Sequence, residues 1–351
     1  MTDEVVVERQ GAAGIVRLNR PKALNALTLP MVRALRAGFD QFAGDEAVAF
    51  VLLEGEGERA FCAGGDIRAI HDSGRAGTDL AATFWREEYE LNALIAEYAK
   101  PVIVLMDGIV MGGGAGLSIH ASHRVATDRI RFAMPETGIG FVPDVGATHR
   151  LSRAPDGTGR YLALTGSIVG AADVIAAGLA DVMVPADGLP ALRADILAAK
   201  DTGGVEEAIA RYGAGTTPGL FSQHRSLIAR AFGAPDLEGV LEALEADDSD
   251  FAKETRATIL SRSPSSLRDT EALLEHARHA DLRACLTAEF FAALGTLDRP
   301  DFYEGVRAAV IDKDRNPRWQ PPLLSDVAPV SPHAFASRPG IVPPFASDTT
   351  A

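Results

Sequence analysis

Short apolar runs of strand length alternate with helix-length amphipathic stretches from the N-terminus to about residue 185, and then the strand signal stops. That order restricts the fold. Repeated βαβ units lay mostly parallel strands side by side, with the crossover helices packed over them. Val5 to Glu8 and Gly14 to Leu18 read as a hairpin around Gly11 to Gly14. Thr28 to Phe42 has apolar residues at helical spacing, with Pro30 in the first turn. Val48 to Leu53 and Val102 to Met106 are continuous apolar runs, the pattern of buried strands. Leu80 to Tyr98 reads as a helix that Pro101 stops, and a further helix opens in the glycines at 112–114. Val125-Ala126 and Phe132-Ala133 read as short strands, and Tyr161 to Leu164 and Ala171 to Ala177 as helical. After Pro185 the helical segments are roughly 190–199, 204–212, 222–231, 236–246, 250–261, 264–279 and 281–295. From Asn316 prolines accumulate, which predicts an extended arm or disorder after about residue 325. The expected organisation is an α/β core over 1–187, a helical region over 188–325 and a proline-rich arm over 326–351.

Composition narrows the function. The chain has 351 residues, 47% of them hydrophobic and 23% charged, which suits an ordinary soluble core. Its formal net charge of −14 argues against broad nucleic-acid binding, although a local basic pocket can still hold an anion. The two cysteines, Cys62 and Cys285, form no CxxC and no disulfide framework, so a reducing compartment is expected. The acidic start, Met1-Thr2-Asp3-Glu4-Val5, reads as neither a secretory signal nor an Arg-rich transit peptide. No run of about 20 apolar residues is present to cross a membrane. The expected location is the cytoplasm.

Three loops carry the chemistry. Phe61-Cys62-Ala63-Gly64-Gly65-Asp66 follows a strand, and its glycines permit either a plain tight turn or an amide at Gly65 aimed at a substrate oxygen. Gly112-Gly113-Gly114 follows another strand and opens a helix, where amides lack intrahelical partners. Gly113 is therefore a second candidate oxyanion donor. A dinucleotide-binding turn would need glycine at 117, where this chain has Leu117. Glu136 and Asp144 sit in glycine- and proline-bearing loops among apolar residues. Carboxyls in such places are hydrogen-bonded or carry raised pKa values, which suits acid–base work, though Glu136 taken alone also fits a loop cap. Ser118 and His120 lie two apart on a helix and lack the second glycine of G-x-S-x-G, so they do not form a nucleophile elbow. His71, His149 and His224 show no metal-ligand spacing.

Taken together, these motifs resemble the crotonase, or enoyl-CoA hydratase/isomerase, superfamily. Asn19-Arg20-Pro21-Lys22-Ala23-Leu24-Asn25-Ala26-Leu27 is similar to its N-terminal signature, and 61–66 and 107–116 to its two oxyanion loops. The resemblance implies a crotonase-like ββα spiral core with a C-terminal helical region, and an acyl-CoA thioester polarised by the amides of Gly65 and Gly113. A hydratase of this family uses two glutamates. The first position is Gly116 here, the second matches Glu136, and a glycine usual in hydratases is replaced by Asp144. One branch, the 3-hydroxyisobutyryl-CoA hydrolases, resembles the chain at Arg86 to Tyr89, Ala133 to Thr137, Phe141 to Gly146, Ser261 to Pro264, Asp301 to Arg307, Ile311 to Asp314 and Pro317 to Trp319. That resemblance implies catalytic Glu136 and Asp144, a substrate-contacting Glu88, and valine breakdown as the source of the substrate. It implies no metal and no resident cofactor, since CoA is part of the substrate. The charge and the lack of a long apolar run lead to no expected nucleic-acid or membrane partner, and a homo-oligomer stays open. Lys22 and Arg68, beside the signature loops, are candidates for the CoA phosphates, against the alternative of plain solvated charges.

Overall fold

The computed structural model describes residues 2–346. Two compact units share the chain, and they interleave along it. The first comprises residues up to Gly65, Glu90–Phe132 and Ile168–Gly219. The second comprises Asp66–Tyr89, Ala133–Ser167 and the residues from Leu220 onward.

The first unit is built on strands β1 (Val5–Gln10), β2 (Ala13–Leu18), β3 (Phe50–Gly55), β4 (Ala60–Cys62), β5 (Val102–Met106), β6 (Ile109–Met111), β7 (His123–Thr127), β8 (Arg131–Ala133, whose last residue falls in the second unit) and β9 (Val182–Val184). Six form one sheet in the order β1-β2-β3-β5-β7-β9, and β4-β6-β8 form a smaller one. The β1–β2 hairpin is antiparallel, and every later pairing in the large sheet is parallel. Sequence predicts this, because strands covered on both faces need continuous apolar runs, and β5 is buried at every residue. Side chains alternate across the sheet. Ala13 and Ile15 of β2 join Phe50, Leu52, Ile103 and Leu105 in a core closed by Leu192, Ile196 and Val205. Those three come from helices Leu189–Ala198 and Thr202–Tyr212. Gly14 and Val16 face the other way, toward helix Leu29–Ala43, where Phe42 packs onto Gly14. Thr28 caps that helix by accepting from the Met31 amide.

The second unit is largely helical. Its C-terminal part runs through Arg225–Phe232, Leu237–Glu245, Asp250–Leu260, Pro264–Ala277, Leu282–Thr296 and Pro300–Val306. Asp236, Ser249, Ser263 and Asp281 each cap the helix that follows by accepting a backbone N–H. Helices Ile67–Ala76 and Ala147–Leu151 were not expected from sequence. The first buries only Ile70 and Ser73, too few to make a clear apolar stripe, and the second is barely more than one turn. From Val327 to Ala346 the chain forms turns and extended backbone held on this unit. Val327 O accepts from Arg268 Nε at 3.1 Å, Arg338 pairs with Asp298 at 2.6 Å, and Phe335 is buried. Positions 347–351 of the expected arm lie outside the described residues. Among the described residues no helix is long and apolar enough to cross a membrane.

Candidate active site

The two glycine turns pack against each other within the first unit. Gly64 has φ 112°, outside the range most residues tolerate, and a Cβ there would lie 3.3 Å from Met111 O and 3.7 Å from Gly113 N. Gly114 faces Cys62 so closely that a Cβ would fall 2.1 Å from the Cys62 carbonyl oxygen. Only glycine permits that approach. The signature segment 19–27 supplies the frame. Asn25 is fully buried, and its Nδ2 donates to the carbonyls of Ala60 at 2.9 Å and Glu56 at 3.1 Å. The Leu27 amide donates to Gly64 O at 2.8 Å, and the Ala63 amide to Leu24 O at 3.0 Å. The signature thus fixes the turn that ends in Gly65. Gly113 is the first residue of helix Gly113–Ser118, whose first-turn amides have no intrahelical acceptor.

The acids gather in the second unit. Glu136 opens a 3-10 turn, Glu136–Ile139, behind Pro135. Segment 262–263 braces that turn: the Ser263 amide donates to Thr137 O at 3.1 Å, and Arg262 Nε to Thr165 O at 2.9 Å. The carbonyl of Asp301 lies where a side chain at Gly140 would go. Ser263 Oγ and the Gln320 amide in turn donate to the Asp301 carboxylate. Glu88, on helix Leu80–Ala96, is 2% exposed, and Glu136 and Asp144 are each 5% exposed. Aromatic rings account for the dryness. Trp85 stacks on Phe141 at 5.3 Å, Phe141 packs on Phe302, and Tyr89 meets Phe290 edge-on.

Burial is the main cause that pushes all three carboxyls up, and the neighbouring Asp144 charge raises Glu136 and Glu88 further. Asp144 itself rises to about 7, held down from higher values by the Tyr89 hydroxyl, which donates to Oδ2 at 2.6 Å. Glu88 Oε1 and Glu136 Oε2 are buried without a hydrogen-bond partner. A buried, unpartnered carboxylate oxygen is costly, and such groups collect at reactive sites. The structure therefore places the Asp144 charge within electrostatic reach of Glu88 and Glu136, and Gly65 and Gly113 in one pair of apposed turns. Lys22, in the first unit, and Arg68, in the second, are both exposed.

Sequence reasoning missed two members of the acid cluster. Tyr89 stands in a quoted motif but received no role. Glu289, on helix Leu282–Thr296, is fully buried, and burial pushes it up to about 8. A lone acid between Ala288 and Phe290 in an apolar helix was the available signal, since such an acid is buried only where donors surround it. Other candidates fall away. Ser118 Oγ donates to the carbonyls of Gly114 at 2.8 Å and Ala115 at 3.1 Å, so it belongs to its own helix. Burial pushes the Cys285 thiol up to about 12, far from thiolate chemistry.

The family profile described as Enoyl-CoA hydratase/isomerase matches residues 13–335. The chain belongs to the enoyl-CoA hydratase/isomerase family. Its fold is the crotonase fold: α/β, with a parallel-rich sheet and a helical C-terminal region. The chain is 42% identical over 333 residues to a protein of Xenopus tropicalis named "3-hydroxyisobutyryl-CoA hydrolase, mitochondrial", covering 92% of this chain and 86% of that one. Proteins of the same name from Rattus norvegicus and Homo sapiens are 43% and 39% identical, each over 93% of this chain and 86% of the relative. A crystal structure titled carnitinyl-CoA dehydratase, from Mycobacterium thermoresistibile, is 38% identical with a TM-score of 0.91, covering 97% of this chain and 98% of that one. One titled enoyl-CoA hydratase, from Rhodobacter sphaeroides 2.4.1, is 39% identical with a TM-score of 0.88, covering 96% and 98%.

Proposed function

We propose that this enzyme hydrolyses the thioester of 3-hydroxyisobutyryl-CoA to the free hydroxy acid and CoA, as a step of valine breakdown. The observation that carries the reading is the acid set. Glu136 and Asp144 are both buried, with the Asp144 charge acting on Glu136, while the resemblance puts Gly116 where a hydratase keeps its first glutamate. Water addition to an enoyl double bond in this family uses that glutamate. Thioester cleavage needs a polarised carbonyl, an attacking oxygen and a proton for the departing sulfur. The names of the curated relatives support the same reading.

In this mechanism the amides of Gly65 and Gly113 take up the negative charge that develops on the thioester oxygen. Glu136 either attacks the carbonyl, giving an acyl-enzyme anhydride, or removes a proton from the attacking water. In the first route the Glu136–acyl C–O bond forms as the C–S bond breaks, and water then opens the anhydride, its proton ending on the CoA thiolate; in the second the water oxygen forms the C–O bond, the C–S bond breaks, and the proton taken by Glu136 passes to the thiolate. Asp144 orients the substrate hydroxyl or the water and assists proton transfer, and Glu88 contacts the hydroxyacyl group. Burial raises Glu136 well above the ordinary carboxylate range and Asp144 to about 7, and a group that titrates near neutrality can accept and return a proton. Lys22 and Arg68 are proposed to meet the CoA phosphates, with exposure leaving their charges available. The acyl preference extends to 3-hydroxypropionyl-CoA, since one methyl group discriminates by only about 1–3 kcal/mol. The proposed location is the cytoplasm, although the cited animal relatives carry "mitochondrial" in their names.

A second reading, hydration or isomerisation of an enoyl-CoA, draws on the titles of the two solved structures. Turnover in oxygen-18 water separates the readings. Hydrolysis places label in the carboxyl group of the released acid, whereas hydration leaves the acyl carbonyl unlabelled and the CoA ester intact. Under single turnover, label in the Glu136 carboxylate with none in the released acid supports an anhydride opened at the Glu136 carbon.

A further inference from the structure

Helix Leu282–Thr296 is buried along most of its length, and Glu289 on it is 0% exposed. A carboxylate there is stable only if donors meet its oxygens. Among the described residues its hydrogen-bond donors come from one short segment, the loop that runs from Asp144 into helix Ala147–Leu151. Glu289 Oε2 accepts from the Gly146 amide at 2.6 Å, and Oε1 accepts from the Thr148 amide at 3.1 Å and from the Thr148 hydroxyl. This loop is the one that carries Asp144. Immediately after Asp144 the backbone turns left-handed, with φ 57° at Val145 and 76° at Gly146. Glycine adopts that conformation freely, but a β-branched residue does so only under strain, which persists where neighbouring contacts hold it. The Ala147 amide closes the turn on Asp144 O at 2.8 Å, Glu289 adds bonds to Gly146 and Thr148 beyond it, and Tyr89 holds the Asp144 carboxylate itself.

We infer that Glu289 is a positioning residue for Asp144: it clamps the strained Val145–Gly146 turn and thereby sets the direction of the Asp144 carboxylate. The inference rests on the hydrolytic role proposed for Asp144. It assigns a task to a buried acid that the mechanism above does not use. The charged and titratable groups within electrostatic reach of Glu289 are Asp144, Glu136 and Tyr89, together with Cys285 one turn earlier on its own helix.

The substitution Glu289→Gln keeps the size of the side chain but only one acceptor oxygen. If that oxygen serves Thr148, the new NH2 faces the Gly146 N–H, two donors with nothing between them. Three measurements test the inference: kcat and KM for CoA release, the same in an Asp144→Asn background, and hydrogen exchange at the Gly146 and Thr148 amides. Glu289→Gln is expected to lower kcat about 10- to 100-fold, the cost of misplacing a reacting group by about 1 Å. KM should move less than about threefold, since binding groups remain. Exchange at Gly146 and Thr148 should accelerate. In the Asp144→Asn background the same change should cost nothing further, because its effect runs through Asp144. A full additional loss in that background overturns the inference, as does unchanged exchange at both amides.

If Glu289→Gln does not fold, Thr148→Val decides, because it removes only the hydroxyl donor. A lower kcat in Thr148→Val, with Thr148→Ser at the wild-type rate, supports the clamp, and equal rates in both overturn it. If the wild-type enzyme releases no CoA, the hydrolase reading fails. The exchange measurement still stands in that case: faster exchange supports the clamp on the turn and unchanged exchange overturns it.

Discussion

Backbone oxyanion donors cannot be deleted by mutation, but Gly114→Ala moves them. The new methyl carbon would lie 2.1 Å from the Cys62 carbonyl oxygen and 2.9 Å from both its carbonyl carbon and its Cβ. Nonbonded carbon contacts settle at about 3.5–4.0 Å, and the nearest obstruction is backbone, so a rotamer change does not relieve it. The turns at 62–65 and 111–114 must part by about 1 Å. Overpacking of this kind destabilises by about 1–3 kcal/mol. The larger effect is on catalysis. A shift of about 1 Å in reacting geometry costs roughly 10²-fold, comparable with the loss of one oxyanion donor, about 10²–10³-fold. The assay is kcat for CoA release together with thermal unfolding. Gly295→Ala is the control: a methyl there meets nothing within 4 Å, so it should add up to about 1 kcal/mol of helix stability and leave kcat unchanged. A folded Gly114→Ala enzyme with wild-type kcat would refute the role given to these turns.

The remaining predictions concern the acids. The kcat/KM profile should fall on its acid side with an apparent pKa near 7, a property of the coupled cluster rather than of one residue. In Asp144→Asn that limb of the residual activity should move to lower pH, because the Asp144 charge helps to raise Glu136; a limb that stays in place contradicts the coupling. Tyr89→Phe removes the donor that holds Asp144 down, so the limb should move to higher pH, with a stability loss of roughly 1–3 kcal/mol. Stability should also respond to pH. Asp144 rises from 3.8 to about 7, so the folded protein holds a proton that the unfolded chain has released. Its contribution is complete below about pH 4 and is lost as pH climbs through about 7. The unfolding midpoint of Asp144→Asn should therefore gain on that of wild type between pH 5 and 8, and a difference independent of pH would count against the assignment.

What could be read from sequence follows from how local each signal is. β5 and the C-terminal helices were legible because apolar runs and Ser or Asp caps are written within a few residues. Three-residue strands such as β4 and β6 carry no such pattern. Glu136 and Asp144 stood out because acids in apolar, glycine-bearing loops are unusual. The task of Asn25 was not legible, although its segment was recognised, because its bonds to Glu56 and Ala60 are made across 31 and 35 residues. Glu289 lay further beyond reach: its partners are 141 and 143 residues away in the chain. Periodicity reports which face of a helix is buried. It does not report which distant amide a buried acid will meet.

Gly116 and Asp144 are the positions proposed to separate a thioesterase from a hydratase on a shared fold, and the relatives carry names of both kinds. The deciding measurement is free CoA release, followed with a thiol reagent, from 3-hydroxyisobutyryl-CoA, 3-hydroxypropionyl-CoA and crotonyl-CoA, comparing wild type with Glu136→Ala. The account predicts rapid release from the two hydroxyacyl esters, little from crotonyl-CoA, and loss of release in Glu136→Ala. Consumption of crotonyl-CoA by hydration, with no thiol released from any ester, would contradict it and leave Asp144 a structural residue.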